Sequence, residues 1–415
     1  MDLWQDTADL APDWAPKRAA ALERLQAFVP HAGTAYAKQR NFDFGPGGHG
    51  KVSRLSPWLR HRALLETEVL ASTLAQHTPN AAEKFVQEVF WRGYFKGWLE
   101  HRPDVWRTYK SDLVALVNRL ERDAALARRY DQAVSGQTGI ACFDAWAMEL
   151  VETGYLHNHA RMWFASIWIF TLKLPWPLGA DFFYRHLIDG DPASNTCSWR
   201  WVGGLHTVGK TYLARAANIE KFTAGRFCPN GQLAQEAPAL RDERPVAIMA
   251  LNWRQTNLEG RRVGWLMTEE DCHISDLTPQ PPAARLVLAS PTQRSVLPLG
   301  KHAIAFAPAA LQDAYQYLSK YTDAPCEISV EADWAAILTT WMKIHELEVC
   351  ATPRLTLGPV AKRLRQACRK ADIELVEVPR RYDQLTWPHT KRGFFGLKKK
   401  IPQILTDLDL RHPND

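Results

Sequence analysis

No CxxC pair, no Cys/His cluster with metal-ligand spacing and no apolar run of membrane-spanning length occurs in this 415-residue chain. The seven cysteines, at 142, 197, 228, 272, 326, 350 and 368, are odd in number and scattered, so they read as reduced thiols of a cytoplasmic protein. The longest apolar stretch, MWFASIWIFTLKLPW, is broken by Lys173 and Pro175 and falls short of the ~20 residues a span needs. It reads as a buried core helix, and no membrane association is expected. The opening MDLWQDTADLAPDW is acidic and lacks the basic and apolar regions of a secretory signal. There is no Walker sequence and no GxGxxG after the first strand of the later region. GGHG at 47–50 stands in helical surroundings and reads as a loop. A hydrophobic fraction of 46% with 23% charged residues excludes disordered, collagen-like and disulfide-scaffold chains.

Tryptophan is abundant: 17 residues, twelve of them before position 202. Such density suits large cores, stacking surfaces or electron relays. The net charge of +6 permits nucleic-acid binding without requiring it. The length suits two or three domains.

Two textures divide the chain. Residues 15–231 carry helical periodicity, with helices expected at Lys17–Phe28, Leu59–Ala75, Ala81–Leu99, Asp112–Ala133, Cys142–Thr153, Asn158–Leu172, Gly179–Ile188 and Val208–Thr223. Residues 232–245, rich in Glu, Arg, Ala and Pro, read as a linker. Over 246–395, short strands are expected at Val246–Leu251, Val263–Met267, Arg285–Ala289, Ala303–Ala307, Glu327–Val330 and Ile373–Val378. Helices are expected at Ala309–Tyr321, Ala332–His345 and Pro359–Lys370, which predicts a parallel, Rossmann-like sheet covered on both faces. Residues 396–415 form a basic and polar tail. The fold class is therefore a helical domain followed by an α/β domain.

The richest stretch for chemistry is 136–204. Asp189 and Asp191 flank a glycine in a turn after a helix, in otherwise apolar surroundings. Buried carboxylates need a cation or hydrogen-bond donors, and Arg161 is available. Asn195 follows, then Trp199 and Trp201. The set suits a large planar ligand with polar edges; a buried salt-bridge network with aromatic packing is the plainer reading of the residues alone.

The segments GQTG…DAWAMELVETGYLHNHARM…LIDGDPASNTCSWRW, with Tyr36-Ala-Lys-Gln-Arg40-Asn-Phe, VSRLSPWL at 52–59 and FVQEVFWRGYF at 85–95, resemble the flavin-binding helical domain of the DNA photolyase/cryptochrome family. The resemblance covers about residues 30–225. It implies FAD folded within a helical bundle. Tyr36, Ser53, Arg54, Leu55 and Ser56 are implied at the phosphates and ribityl chain, Arg92 beside the cofactor, and Arg161 paired with Asp189. Asp191 is implied along the flavin's polar edge and Asn195 at its N5. Val52 stands where the family often has Thr.

Glu88 and Trp91, three apart on one helix, share a face. The resemblance makes them the group that bonds flipped pyrimidines and the ring that stacks on them. Asn158, Met162 and Trp201 complete that pocket, and Arg40 is implied at a DNA phosphate. The histidine pair of (6–4) photolyases is absent; His157 and His159 read as core or helix-surface residues. Gly93 replaces a glutamate common in the family. Trp199 and Trp176 match two members of the family's electron relay, while Trp106, Tyr109 and Tyr130 are substitutes for the outer one.

In the family the α/β domain comes first. Here it comes last, so the resemblance implies a circularly permuted arrangement, with room for a second, antenna chromophore of unidentified chemistry. The expected function is light-dependent repair of cyclobutane pyrimidine dimers in damaged DNA by a monomer. A cryptochrome-type photosensor without repair turnover is the alternative.

Overall fold

The computed structural model describes residues 12–253, 257–277, 281–321, 324–330 and 333–410. Its first part is helical: α1 (Arg18–Phe28), α2 (Glu66–Gln76), α3 (Glu83–Glu100), α4 (Pro103–Leu120), α5 (Ala124–Val134), α6 (Ala141–Thr153), α7 (Asn158–Ser166), α8 (Trp176–His186) and α9 (Pro192–Val202). Local chemistry sets several of these ends. Asp123 accepts from the Leu126 N–H at 3.0 Å and starts α5, which splits the single helix expected over Asp112–Ala133. Gly154, at φ 68°, ends α6. Arg62, at φ 48°, sits in the break between a short helix at Ser56–Arg60 and α2, where one helix over Leu59–Ala75 was expected. Of the helix expected over Val208–Thr223, only Ala216–Phe222 forms. The apolar stretch expected as a core helix is α7 continued by a π-helical turn at Ile167–Thr171, with Trp163 and Trp168 fully buried.

The later part is a five-stranded parallel sheet: β1 (Val263–Thr268), β2 (Ala284–Ala289), β3 (Cys326–Val330), β4 (Val349–Pro353) and β5 (Leu375–Val378), in spatial order β3-β2-β1-β4-β5. Leu266 lies opposite Leu286 in the register of β1 and β2. Helices α10 (Lys301–Tyr321), α11 (Trp334–Ile344) and α12 (Pro359–Lys370) provide the crossovers. Leu266, Leu286 and Leu288 pack on one face with Trp334, Leu338, Trp341 and Leu364. Trp265, Met267 and Val287 pack on the other with Phe306 and Leu311, and that core runs on without a break into Trp58, Val69 and Phe90 of the helical part.

Two expected strands are corrected. Ala303–Ala307 belongs to α10, because a short apolar run fits either period and its alanine-rich continuation favours helix. Val246–Leu251 forms no strand; Met249 exchanges backbone and ring hydrogen bonds with His101 at 2.7 Å instead. Several elements were not foreseen, among them β4 and the short helices Thr34–Gln39, Arg381–Thr386, Phe394–Lys398 and Ile401–Asp407. Another is α9, although Asp191 followed by Pro192 is a helix-start signal. Ala332, the first residue of one expected helix, and 411–415 of the tail lie outside the described residues.

In open parallel sheets, ligands take the crevice at the carboxyl ends of the strands where the order reverses. That point lies here between β1 and β4, and protein side chains fill it. Arg60 places both terminal nitrogens on Glu270 at 2.8 and 2.7 Å, and Thr356 follows β4 at 3.4 Å from the same carboxylate. His61 meets the Glu269 carbonyl at 2.6 Å. Arg62 and Arg380 share Asp271, and Arg62 also holds Asp383 at 2.7 Å. The carboxyl end of the sheet is thereby bolted to the helical part.

Candidate functional site

A cavity of about 640 Å³ opens in the helical part, within the range of ligand pockets. Three helices present one face each. From α3 come Phe85, Glu88, Arg92 and Phe95, with Trp91 beside them; from α7 come Asn158, Arg161, Met162 and Ala165; from α9 come Asn195, Ser198, Trp199 and Val202. These spacings of three and four follow the helical repeat. The segment Val52–Ser56, Tyr36, Arg40 and the turn Asp189–Asp191 close the remaining sides.

The two ends of the cavity differ. Leu55, Asp189, Asp191, Asn195 and Trp199 at the inner end are buried. Arg161 donates to Asp189 at 3.0 Å and to the Leu156 carbonyl at 2.9 Å. One Asp191 oxygen caps α9, accepting from the Ser194 N–H at 2.7 Å and its hydroxyl at 3.0 Å. Burial pushes both acids up, yet the surrounding cations win. Arg161, a hydrogen bond from Ser56 and Arg92 hold Asp189 below its usual range. Lys96, Arg60 and Arg92 hold Asp191 well below it. Lys96 is itself buried and pulled down from the usual lysine range by that burial.

Several buried polar atoms at this end have no hydrogen-bond partner in the protein: Asp189 Oδ1, Asp191 Oδ2, Nε and Nη2 of Arg92, and Nε1 of Trp199. An unsatisfied buried polar group costs on the order of 1–3 kcal/mol, and a charged one more, so their convergence on one cavity fits a polar-edged ligand. Asn195 donates its amide to the Ala180 carbonyl at 2.7 Å, which leaves its oxygen for the cavity.

The outer end is aromatic and half-exposed, formed by Trp91, Trp201, Met162, Asn158 and Glu88. Glu88 is ion-paired with Arg40. Trp201 stacks on Tyr212 at 5.7 Å, and Trp91 stacks on Phe394 at 3.7 Å with the planes 11° apart. Tyr36 is wedged edge-on against Phe28 and Phe85. Arg54, at φ 53°, reaches outward to Asp13 at 3.0 Å and over the Trp14 ring. Ser53 Oγ sits 3.5 Å from the Leu55 N–H.

Of the residues expected at the site, Trp176 does not reach the cavity. It stacks on Tyr109 at 5.6 Å, and Tyr109 touches Trp106 at 5.3 Å. Sequence reasoning missed Phe95, Lys96, Arg60 and Phe395. Phe95 was accessible from its spacing of seven from Glu88. Nothing in the sequence ties Phe395, from the far end of the chain, to this cavity. His157 and His159 pack within the core, the second stacked on Trp163 at 4.0 Å.

The family model described as the FAD binding domain of DNA photolyase matches residues 85–263. This stretch belongs to the photolyase/cryptochrome family. A deoxyribodipyrimidine photo-lyase of Thermus thermophilus is 35% identical over 46% of this chain and 43% of its own. One of a Synechococcus strain is 32% identical over 45% of this chain and 38% of its own. A cryptochrome DASH of Idiomarina loihiensis is 26% identical over 57% of this chain and 52% of its own. The chain thus spans about two fifths of the length of the two photo-lyases. No described helix is long and apolar enough to cross a membrane.

Proposed function

We propose that the protein is a light-dependent lyase that splits cyclobutane pyrimidine dimers in DNA, with FAD at the inner end of the cavity. The observation that carries this reading is the continuity of the site: an aromatic rim bearing Glu88 opens onto the same cavity whose floor holds Asp189 and Asp191. The unpartnered atoms fit the group. Asp189, Asp191 and Arg92 offer both acceptors and donors to a heterocycle edge, Arg161 fixes Asp189, and the Asn195 oxygen accepts from an N–H. Tyr36 and the segment Ser53–Ser56 line another side of the cavity and would hold the phosphates and ribityl chain.

Reduced FAD, when bound and excited, supplies one electron and takes it back. The chain's own residues do the rest. Trp91 and Trp201 give aromatic walls for flipped bases, and Asn158 and Met162 fill the pocket between them. Substrate entry exchanges the Arg40–Glu88 pair: Arg40 turns to a phosphate and Glu88 bonds the pyrimidine edge, where it stabilises the dimer while it holds the extra electron. Two carbon–carbon bonds break, and no net redox change remains. Trp199 lies against the cavity, and Trp176, Tyr109 and the half-exposed Trp106 form an aromatic run from the same core towards the surface. We assign these residues to the electron relay.

The domain division at 232–245 and the circular permutation belong to the same proposal. The permutation is supported by the order of the parts, with the FAD-domain match over 85–263 ending where the parallel sheet begins; the division at 232–245 rests on the composition of that stretch. An experimental structure superposed on a two-domain photolyase tests the permutation; a sheet on a different face of the helical part would end it.

Repair is tested by illuminating reduced, flavin-loaded protein with a dimer-containing oligonucleotide. Glu88→Ala should slow restoration about ten-fold, the worth of one charged hydrogen bond. Light-induced absorbance changes with no restored oligonucleotide would instead identify a photosensor.

A further inference from the structure

We propose that the C-terminal segment Lys391–Lys400 is a nucleic-acid contact, with Phe395 as a base-stacking ring at the cavity mouth and the flanking cations as phosphate contacts. This rests on the reading of the cavity as a DNA-repair site. The segment, KRGFFGLKKK, holds five cations and no acid in ten residues. It is anchored on α3, the helix that carries Glu88 and Trp91. The Tyr94 hydroxyl donates to the Arg392 carbonyl at 3.0 Å, Lys398 pairs with Glu83 at 3.0 Å, and Phe394 is buried against Trp91.

The next ring points the other way. Phe395 is 77% exposed, yet it lines the same cavity as Trp91 and Trp201. It sits in a helical turn, Phe394–Lys398, so its position is set by the anchored neighbour rather than by a loose tail. An exposed phenyl ring held rigidly beside a base-sized opening loses little freedom on stacking. Lys391, Arg392, Lys399 and Lys400 are exposed around it. Charge decides the kind of partner. Protein interfaces are depleted of lysine, whereas an aromatic surface interleaved with cations matches the alternation of base and phosphate.

The test uses the full, flavin-loaded chain and fluorescence anisotropy with labelled oligonucleotides, one carrying a single cyclobutane dimer and one undamaged. Phe395→Ala should weaken binding of the dimer oligonucleotide roughly ten-fold, while Phe395→Trp restores it and the flavin load per chain stays constant. Lys399→Ala with Lys400→Ala should reduce the slope of log affinity against log salt by about 1–2. Wild-type protein that binds while Phe395→Ala binds equally well would overturn the assignment of Phe395 and leave the repair reading standing. Wild-type protein that binds neither oligonucleotide would overturn the repair reading itself, and this inference with it.

Discussion

Asp191 divides its work between two oxygens. One caps α9; the other is buried without a hydrogen bond, 3.8 Å from Arg60 Nε. Asp191→Asn keeps a good cap and removes the charge. It should leave α9 intact by circular dichroism and lower the flavin-to-protein absorbance ratio several-fold; a full flavin load would exclude Asp191 from the cofactor site. Glu269 is the opposite case. Burial, with the neighbouring Glu270, pushes its carboxyl up to about 7. A folded value above the unfolded one means that stability is fully present below about 4.5 and is lost as pH rises through about 7. Glu269→Gln cannot ionise. It should match the parent near pH 4.5 and exceed it at pH 8 by on the order of 1–3 kcal/mol in urea unfolding. A gap independent of pH would contradict the raised value.

At the scale of the element, α3 has two faces with different tasks. Glu88, Arg92 and Phe95 look into the cavity, while Gly93 and Gly97 receive Tyr382, Thr386, Trp387 and Thr390. A Cβ on Gly93 would stand 3.0 Å from the Tyr382 hydroxyl, and one on Gly97 would stand 2.6 Å from Thr390 Oγ1 and 2.8 Å from Trp387. This gives the physical reason for the glycine in Trp91-Arg92-Gly93: the space of a side chain is taken by the helical turn Arg381–Thr386. Gly97→Ala gains about 1 kcal/mol of helix propensity and loses about 1–3 to overpacking. Net destabilisation of up to roughly 2 kcal/mol by urea unfolding is expected, and a stabilised variant would show that the contact is not tight. The sequence marked Gly93 as a departure from its family, but its cause lies nearly 290 residues away along the chain.

At the scale of the molecule, Arg60 joins the two parts. It bonds Glu270 at the end of β1 and donates from Nε to the Gly190 carbonyl at 2.8 Å, in the turn between the two site acids. The sheet therefore braces the cavity floor. Removing one partner strands the other charge in the interior, so Arg60→Met and Glu270→Met should each cost about 3–5 kcal/mol and lower the flavin load. The double variant should recover most of the stability, because the Glu270 charge goes with its partner while Asp191 keeps Lys96 and Arg92. Additive losses in the double variant would mean the pair is uncoupled.

The sequence alone determined the helical-then-α/β order, the parallel sheet and the residue types that gather at the cavity, because periodicity and spaced motifs are local properties of the chain. Helix boundaries near Arg62 and Asp123, the true state of Ala303–Ala307 and the short β4 escaped it, since backbone breaks and neighbouring strands decide them. Only the tertiary structure brought Arg60, Lys96 and Phe395 to the site. Their positions depend on packing between distant segments, and a buried charge or an exposed ring acquires its chemistry from what stands opposite it.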